Sequence, residues 1–262
     1  MRRRPYEPDP GNASGGSHAR LKALSSRSLP AEGAAFFFMG EHDPSPARAL
    51  VFANGDLHDG PAVRRALHEG AGALIIAADG GARLALACGL TPHLVVGDMD
   101  SLSEDDLADL RAHGAIIQRV TAEKDETDLE LALLAAAERG AAWVRVLGAA
   151  GGRLDQTLAN ALLLTLDALT RRDVRLVAGQ QTLWLIGPGE HALDGAPGDT
   201  ISLIPLGGDA RGVRTEGLRY LLRGETLRFG PARGVSNIIA AAGARVALDE
   251  GTLVVVHTPG RA

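Results

Sequence analysis

The sequence predicts an α/β protein: an N-terminal parallel-sheet, Rossmann-like domain followed by a C-terminal antiparallel β-sandwich domain. From Arg48 to about Gly179, short and continuously apolar runs alternate with helical segments, which is typical of a parallel sheet covered on both faces. After Gly179, short runs separated by Gly, Pro and Asp follow one another with hardly any helix, which favours antiparallel sheets. We therefore predict domains at residues 48–179 and 180–262.

The elements of the first domain follow from this alternation, taken in chain order. The first strand is the apolar run Ala49-Leu-Val-Phe-Ala53, which ends at the turn Asn54-Gly-Asp56, because Asn-Gly and Gly-Asp favour turns. The same reasoning predicts further strands and intervening helices. The strands are 49–53, 73–78, 93–96, 115–119, 143–147 and 174–178, and the helices are 61–69, 82–88, 103–113, 128–139 and 154–169.

The second domain is predicted from shorter runs, at 182–186, 200–204, 212–215, 226–229, 244–248 and 252–257, with one candidate helix around 237–242. Residues 1–47 are rich in Pro, Gly, Ser and Ala and show no sustained period. Such a segment does not offer enough apolar surface to form a core, so we predict a disordered or poorly ordered extension there.

Composition excludes several classes of function. The net charge of -5 and an aromatic content of 3% argue against nucleic-acid partners, which need basic patches or stacking platforms. The single cysteine, Cys88, rules out an internal disulfide, and no apolar run approaches the roughly 20 residues that span a bilayer. We therefore expect no nucleic-acid or membrane partner, and a cytoplasmic location.

Acidic residues follow the predicted strands in an unusual way. Asp79 follows the second strand, Asp98 and Asp100 follow the third, and Asp125 and Asp128 follow the fourth. Because the carboxyl ends of parallel strands meet at one edge of the sheet, where ligands bind, these carboxylates should converge. Converging carboxylates repel one another, and a hard divalent cation such as Mg²⁺ relieves that repulsion with oxygen-only ligands.

Each cluster also has a purely structural interpretation. Asp-Gly and Gly-Asp are common turn dipeptides, and the pairs Ser101/Glu104 and Thr127/Glu130 fit helix capping boxes, which need no catalysis. It is the joint position of the clusters at one sheet edge that favours a functional site.

A glycine-rich turn, Gly148 to Arg153, follows the fifth strand and leads into a helix. Backbone N–H groups of such a turn and a helix N-terminus suit phosphate. The spacing fits neither a Walker loop nor a dinucleotide fingerprint, which argues against an NAD-dependent dehydrogenase. Lys124, one of only two lysines with Lys22, and Arg153 could oppose the charge of a triphosphate.

These residues, in this order, resemble the thiamine pyrophosphokinase family. The resemblance extends over roughly residues 49–257 and continues through the second domain. It rests on Ala78-Asp-Gly-Gly-Ala82, Gly97-Asp-Met-Asp-Ser101, Lys124-Asp-Glu-Thr-Asp128, Gly151-Gly-Arg-Leu-Asp155 with Leu158-Ala-Asn160, Gly217-Leu-Arg-Tyr220, Glu225-Thr-Leu-Arg-Phe-Gly230 and Gly234-Val-Ser-Asn237.

The resemblance implies a magnesium-dependent enzyme that moves a pyrophosphoryl group from ATP to thiamine, and a homodimer with thiamine near the subunit interface. It implies these sites: catalytic residues Asp98, Asp100, Lys124, Asp125 and Asp128; ATP-binding residues Asp79, Gly80, Gly81, Lys124, Gly151, Gly152, Arg153 and Asp155; thiamine-binding residues Asp128, Asp155, Ser236 and Asn237; metal ligands Asp98, Asp100 and Asp125.

Two positions depart from the family pattern: Gln156 stands where many relatives carry histidine, and Leu221 where proline often follows the aromatic residue. We therefore assign no catalytic histidine. Either Asp128 or Asp155 could accept the proton of the thiamine hydroxyl. Two other functions fit the same residues: a pyrophosphokinase acting on a hydroxymethyl pterin, and a non-catalytic nucleotide or thiamine sensor.

Overall fold

The structure is a computed structural model that describes residues 48–260, which belong to one compact unit. The predicted extension over residues 1–47 lies outside the described residues. The described chain is an α/β fold with a parallel-strand sheet and antiparallel sheets, as the sequence predicts. Within it, no helix is both long enough and apolar enough to cross a bilayer.

Six strands form the parallel part of a ten-stranded sheet: β1 (Arg48–Phe52), β2 (Leu74–Ala78), β3 (Leu94–Gly97), β4 (Ile116–Arg119), β5 (Trp143–Leu147) and β6 (Asp173–Ala178). Their spatial order is β6-β5-β1-β2-β3-β4. β1 lies between β2 and β5. From β1 the chain first adds β2, β3 and β4 on one side of the sheet, and then returns to add β5 and β6 on the other side. This reversal leaves a crevice at the carboxyl ends of β1 and its neighbours, where ligands bind in sheets of this kind.

Five helices cover the sheet: α1 (Pro61–Glu69), α2 (Gly81–Ala87), α3 (Glu104–Ala112), α4 (Asp128–Glu138) and α5 (Leu154–Leu162). α4 packs against one face in a core of Leu129, Leu133 and alanines, and α1, α2 and α3 pack against the other. The capping residue of α3 is Ser103, whose hydroxyl accepts from the Asp106 N–H. The predicted Ser101/Glu104 box is therefore wrong, whereas Thr127 does cap α4, accepting from the Glu130 N–H.

The predicted helix over 154–169 is shorter than expected. α5 ends at Leu162 and is followed by two 3₁₀ turns, Leu163–Thr165 and Asp167–Leu169. The hydroxyl of Thr165 donates to the Leu162 carbonyl, and Leu166 adopts an extended conformation with ψ 133°. Such local side-chain bonds compete with the helical ladder, and the apolar periodicity alone does not reveal them.

The remaining strands are antiparallel: β7 (Gln181–Ile186), β8 (Gly189–Ala192), β9 (Thr200–Pro205), β10 (Ala210–Glu216), β11 (Arg223–Leu227), β12 (Asn237–Ile238), β13 (Arg245–Leu248) and β14 (Leu253–Thr258). The ten-stranded sheet runs β12-β9-β14-β7-β6-β5-β1-β2-β3-β4, and a second sheet runs β11-β10-β13-β8. A third core, with Trp184, Leu203 and Val246 among its members, draws on both sheets. Because β7 pairs with β6 through Ala178 and Gln181, the large sheet continues across residue 179.

The candidate helix around 237–242 is wrong. Asn237 and Ile238 pair with β9, and Ile239 forms a bridge to Leu218. The Asn237 side chain donates to the Tyr220 carbonyl and accepts from the Tyr220 N–H, which holds this segment extended. β8 was not predicted, because Gly-Glu-His-Ala is mostly exposed and shows no apolar alternation.

Asp199 joins the beginning of β9 to the end of β14. Its carboxylate accepts from the N–H groups of Ala196 and Gly260, each at 2.8 Å, and contacts His257 Nε2 at 2.8 Å. Burial alone would raise the pKa of Asp199, but these hydrogen bonds outweigh it and hold the pKa below its ordinary value. A carboxyl group with a lowered folded-state pKa stabilises the fold above its unfolded pKa.

We therefore expect Asp199→Asn to lower the free energy of unfolding by about 1–3 kcal/mol at pH 7, the range for hydrogen bonds to charged groups. The difference from the original chain should begin to shrink as pH falls through about 4, where the unfolded carboxyl is protonated first, and should be lost only below the lowered pKa of the folded state. Urea unfolding at a series of pH values measures it, with Asp105→Asn, exposed on α3 and without an ion pair among the described residues, as control. An unchanged difference at pH 3 would contradict the assignment.

Candidate active site

A cleft of about 700 Å³ opens at the carboxyl ends of the parallel strands. Its wall is made of the segments that directly follow β1, β2, β3, β4 and β5, so the topology brings together residues far apart in the sequence. The residues lining it that carry polar side chains are Asn54, Asp56, Asp79, Asp98, Asp100, Ser101, Lys124, Glu126, Thr127, Asp128, Arg153, Gln156, Thr157 and Asn160.

Three carboxylates converge in this cleft. Asp79, Asp98 and Asp128 each present an oxygen, and these oxygens all lie within 4.8 Å of one another. Asp79 is only 3% exposed, and its Oδ1 has no hydrogen-bond partner among residues 48–260. A buried carboxylate oxygen without a partner is expensive, so this cluster has the character of a cation site.

The backbone around the cluster is adapted to this close approach. Asp79 has a φ of 45°, a left-handed conformation that aspartate tolerates better than most residues, and its N–H donates to the Val96 carbonyl of β3. Gly97 has a φ of 155°, and a Cβ there would lie 2.9 Å from the Cβ of Asp79 and 3.1 Å from the Cγ of Asp128. Only glycine leaves room for the two carboxylates.

Lys124 is the cation nearest the cluster, with Nζ 2.8 Å from Oδ1 of Asp128. Burial by itself would lower the pKa of Lys124, but contact with Asp128 and the charges of Asp98 and Asp100 raise it, so the amine stays protonated. Burial raises the pKa of Asp128, and the charges of Asp98 and Asp79 add to this, which together outweigh the effect of Lys124. One ammonium therefore does not fully offset the acidic cluster.

The glycine-rich turn forms the opposite wall of the cleft. The buried Asn160 side chain donates to the Ala149 carbonyl at 2.8 Å, and the Gly151 N–H donates to the Thr157 hydroxyl at 3.3 Å. Both anchors come from α5, so the helix fixes the turn that precedes it. Gly148, with a φ of 70°, lies so close to β1 that a Cβ would be 2.6 Å from the Ala53 carbonyl oxygen.

The structure brings together most of the predicted site residues. Those that line the cleft are Asp79, Asp98, Asp100, Lys124, Asp128, Gly151, Gly152 and Arg153. The predicted ATP-binding residues Gly80 and Gly81 instead begin α2, and Asp125 is exposed and outside the lining. Asp155 is also outside it and pairs with Arg153 at 2.6 Å, and this hydrogen bond lowers the pKa of Asp155.

The metal set predicted from the sequence and the observed carboxylate cluster share only Asp98. Asp100 lines the cleft beside the cluster, and its carboxylate accepts from the Ser101 hydroxyl. The other two members of the carboxylate cluster are Asp79 and Asp128, whereas Asp100 and Asp125 are not part of it. The strand order explains why Asp79 lies near Asp98. β2 lies directly beside β3, and each of these aspartates is the first residue after its strand.

Ser236 and Asn237, which were predicted to bind thiamine, do not line this cleft. Asn237 belongs to β12, at the far edge of the ten-stranded sheet, and Ser236 precedes it, exposed, with a φ of 59°. Three hydrogen bonds occupy the Asn237 side chain, two to Tyr220 and one from the Ile238 N–H. In this chain Asn237 therefore positions Tyr220.

The sequence alone indicates only structural roles for Asn54 and Ser101, in a turn and a helix cap, and none in the active site. The Asn54 amide donates to the Ser101 hydroxyl at 3.1 Å, which in turn donates to Oδ1 of Asp100 at 3.0 Å. This relay fixes the orientation of the Asp100 carboxylate. A signal was present: Asn54-Gly-Asp56 directly follows β1, just as the acidic clusters follow their strands.

Two family models match the chain, both within its described residues. The model described as "Thiamin pyrophosphokinase, catalytic domain" matches residues 69–177, and "Thiamin pyrophosphokinase, vitamin B1 binding domain" matches residues 190–253. Together they span more than half of the chain. The chain belongs to the thiamine pyrophosphokinase family. The resemblance seen in the sequence is thereby confirmed.

Individual thiamine pyrophosphokinases agree with this assignment. The thiamine pyrophosphokinase of Bacillus subtilis (strain 168) is 28% identical over 186 residues, covering 71% of this chain and 87% of the relative. The crystal structure of thiamine pyrophosphokinase from Bacillus subtilis has a TM-score of 0.72 at 27% identity, covering 81% of this chain and 99% of that one. That of a thiamin pyrophosphokinase family protein from Enterococcus faecalis has a TM-score of 0.71 at 28% identity, with the same coverage.

We expect Asn160→Leu to destabilise the chain by about 1–3 kcal/mol, because the buried Ala149 carbonyl then loses its donor. Nucleotide affinity should fall as well, since the glycine-rich turn loses an anchor. Thermal unfolding and nucleotide titration measure the two effects. The control is Gln156→Ala, on the same helix and lining the same cleft but exposed, for which a change within about 0.5 kcal/mol is expected. Equal behaviour of the two variants would refute the anchoring role.

Proposed function

We propose that this enzyme transfers a pyrophosphoryl group from ATP to the hydroxyl of thiamine, giving thiamine diphosphate and AMP. The observation that carries the proposal is the convergence of Asp79, Asp98 and Asp128 beside Lys124, opposite a glycine-rich turn, in a chain that matches both domains of the family. The pterin pyrophosphokinase and the non-catalytic sensor gain no support from these matches.

Mg²⁺ fits the carboxylate cluster. All the donor atoms are oxygens, which suits a hard cation. The Oδ1 of Asp79, which has no hydrogen-bond partner among the described residues, would gain the ion as its partner. We assign Asp79 and Asp98 as the residues that hold the ion, with Asp100 and Asp128 beside them. When bound, the ion neutralises phosphate charge and aligns the phosphates.

The remaining groups of the cleft would bind and orient ATP. The N–H groups of the glycine-rich turn suit the phosphates, and Lys124 and Arg153, which both line the cleft, supply positive charge. Transfer requires the thiamine hydroxyl to approach the β-phosphorus in line with the departing AMP, so positioning and charge neutralisation supply most of the catalysis.

A carboxylate must accept the hydroxyl proton as the new phosphorus–oxygen bond forms. Asp128 and Asp155 are the two candidates from the sequence. Asp128 lines the cleft, whereas Asp155 is exposed and paired with Arg153. We therefore assign the proton to Asp128, held in place by its contact with Lys124.

We propose a homodimer in which the partner supplies the thiamine-binding turn at Ser236. In the sheet, β12 lies five strand positions from β5, or about 24 Å at about 4.8 Å per strand. A molecule of the size of thiamine cannot contact both regions of one chain. Large exposed apolar side chains on α5 and beyond, which a partner would cover, are Leu154, Leu158, Leu162, Tyr220 and Phe229.

We also propose that the chain has two functional domains. Residues 48–179 would be a Rossmann-like, ATP-binding catalytic domain, and residues 180–262 a thiamine-binding β-sandwich. With both substrates small and polar, and a chain of net charge -5, we propose that the enzyme works in the cytoplasm.

We expect the purified chain, incubated with ATP, Mg²⁺ and thiamine, to form AMP and thiamine diphosphate in equal amounts. Asp98→Asn and Asp100→Asn should each lower kcat/KM about 100-fold or more while leaving the fold intact, since charge stabilisation in the site is lost. Asp105→Asn, exposed on α3 and outside the cleft, is the matched control. ADP as co-product, or near-normal activity of the cleft variants, would refute the mechanism.

We also expect Mg²⁺ to raise the melting temperature of the nucleotide-free chain, because it relieves repulsion within the cluster. Asp79→Asn should raise the melting temperature without Mg²⁺, as one buried charge disappears, and should abolish the gain that Mg²⁺ gives. Glu126→Gln, which lines the cleft outside the cluster, should keep that gain. A full response to Mg²⁺ in Asp79→Asn would remove Asp79 from the cation site.

A further inference from the structure

A second cavity, of about 250 Å³, lies between α1, β5, β6, β7 and the loop at Gly195. It shares no lining residue with the catalytic cleft within residues 48–260. Val177 of β6 and Thr182 of β7, paired across the strands, both line it. Its charged lining residues are Arg65, Arg145, Arg175, Glu69 and Asp194.

Arg145 is a buried cation with unused donors. It is only 7% exposed, and its guanidinium stacks 4.2 Å from the centre of the Trp143 ring. Three hydrogen bonds, to the Val144 carbonyl and to the carbonyl and carboxylate of Asp173, use three of its five N–H groups. Burial lowers the pKa of Arg145, and neighbouring Arg175 lowers it further, despite Asp173.

The other two arginines differ in how well they are compensated. Arg175 contacts two carboxylates, Asp173 at 2.7 Å and Asp194, and stacks on Trp184 at 4.6 Å. Arg65, exposed on α1, makes no ion pair with any residue that the structure describes. The three guanidinium groups lie with three carboxylates, Glu69, Asp194 and Asp173, so their formal charges balance. Their N–H donors do not balance: among the described residues, the Arg65 guanidinium and two N–H groups of Arg145 have no acceptor.

Thr182 supplies an independent sign of a ligand. Its side chain is 5% exposed, and its hydroxyl has no hydrogen-bond partner within the described part of the chain. A buried hydroxyl without a partner destabilises a fold, and valine would fill the same space without that penalty. A hydroxyl in the same cavity as the buried Arg145 and the half-buried Arg175 can donate to an anion.

We infer that this cavity is a binding site for a small tetrahedral oxyanion, with inorganic phosphate as the representative ligand. Free N–H groups of Arg145 and Arg175, the Thr182 hydroxyl and the exposed side chain of Arg65 can donate to its oxygens. The oxygens of the anion would accept from donors that have no acceptor among the described residues. The cavity volume of about 250 Å³ is ample for one phosphate group.

The test uses the full chain with its catalytic cleft filled by α,β-methylene ATP and Mg²⁺, so that phosphate cannot act there. Potassium phosphate, compared with potassium chloride at equal ionic strength, should raise the melting temperature in a saturable way. Glycerol phosphate in place of phosphate distinguishes the free oxyanion from a phosphate group on a larger metabolite. No difference between phosphate and chloride would overturn the site.

Variants locate the effect. Thr182→Val should leave the phosphate-free chain as stable or more stable, and should weaken phosphate binding about tenfold, the loss of a bond to a charged group. Arg65→Gln should weaken binding several-fold, and Glu69→Gln should strengthen it, because a repelling carboxylate is gone. Arg64→Gln, on the same helix but paired with Asp59 outside the cavity, is the matched control. Unchanged affinity in Thr182→Val and Arg65→Gln would overturn the assignment.

Discussion

The convergence of carboxylates at one sheet edge is the constraint on which the site depends. Parallel strands place all their carboxyl ends on the same side, so Asp79, Asp98 and Asp128 meet whether or not their charges are compensated. Lys124 contacts this cluster, yet burial, together with the charges of Asp98 and Asp79, still raises the pKa of Asp128. The fold therefore carries a local electrostatic penalty that a cation and a nucleotide can relieve, which links ligand binding to stability.

Much of the fold could be predicted because its signals are local and periodic. Continuous apolar runs such as Leu74–Ala78 and Trp143–Leu147 are unambiguous buried strands, and the segments between them have helical period. The clustering of acidic residues after successive strands could be predicted for the same reason. That prediction needs only the rule that the carboxyl ends of parallel strands lie at one edge of the sheet. It does not need the order of the strands.

What could not be predicted depends on contacts between distant residues. The close approach of Asp79 and Asp128 within the carboxylate cluster depends on β2 lying beside β3 and on Gly97, where a Cβ would meet both side chains. The extended segment at Asn237 is held by Tyr220, 17 residues away. No window of sequence contains these partners.

β5 contributes to both cavities. Arg145 of this strand lines the arginine cavity, and the turn that directly follows the strand lines the catalytic cleft. In β5, Val144 and Val146 pack into one core, whereas Arg145 points to the opposite face with Trp143 and meets Arg175 of the neighbouring strand. Three residues after Arg145, Gly148 begins the turn that forms the wall of the cleft. Because β5 is hydrogen-bonded on both sides, to β1 and β6, it is a stiff connection between the arginine cavity and the glycine-rich turn. An anion that orders Arg145 would therefore act on a strand whose end helps to shape the catalytic cleft.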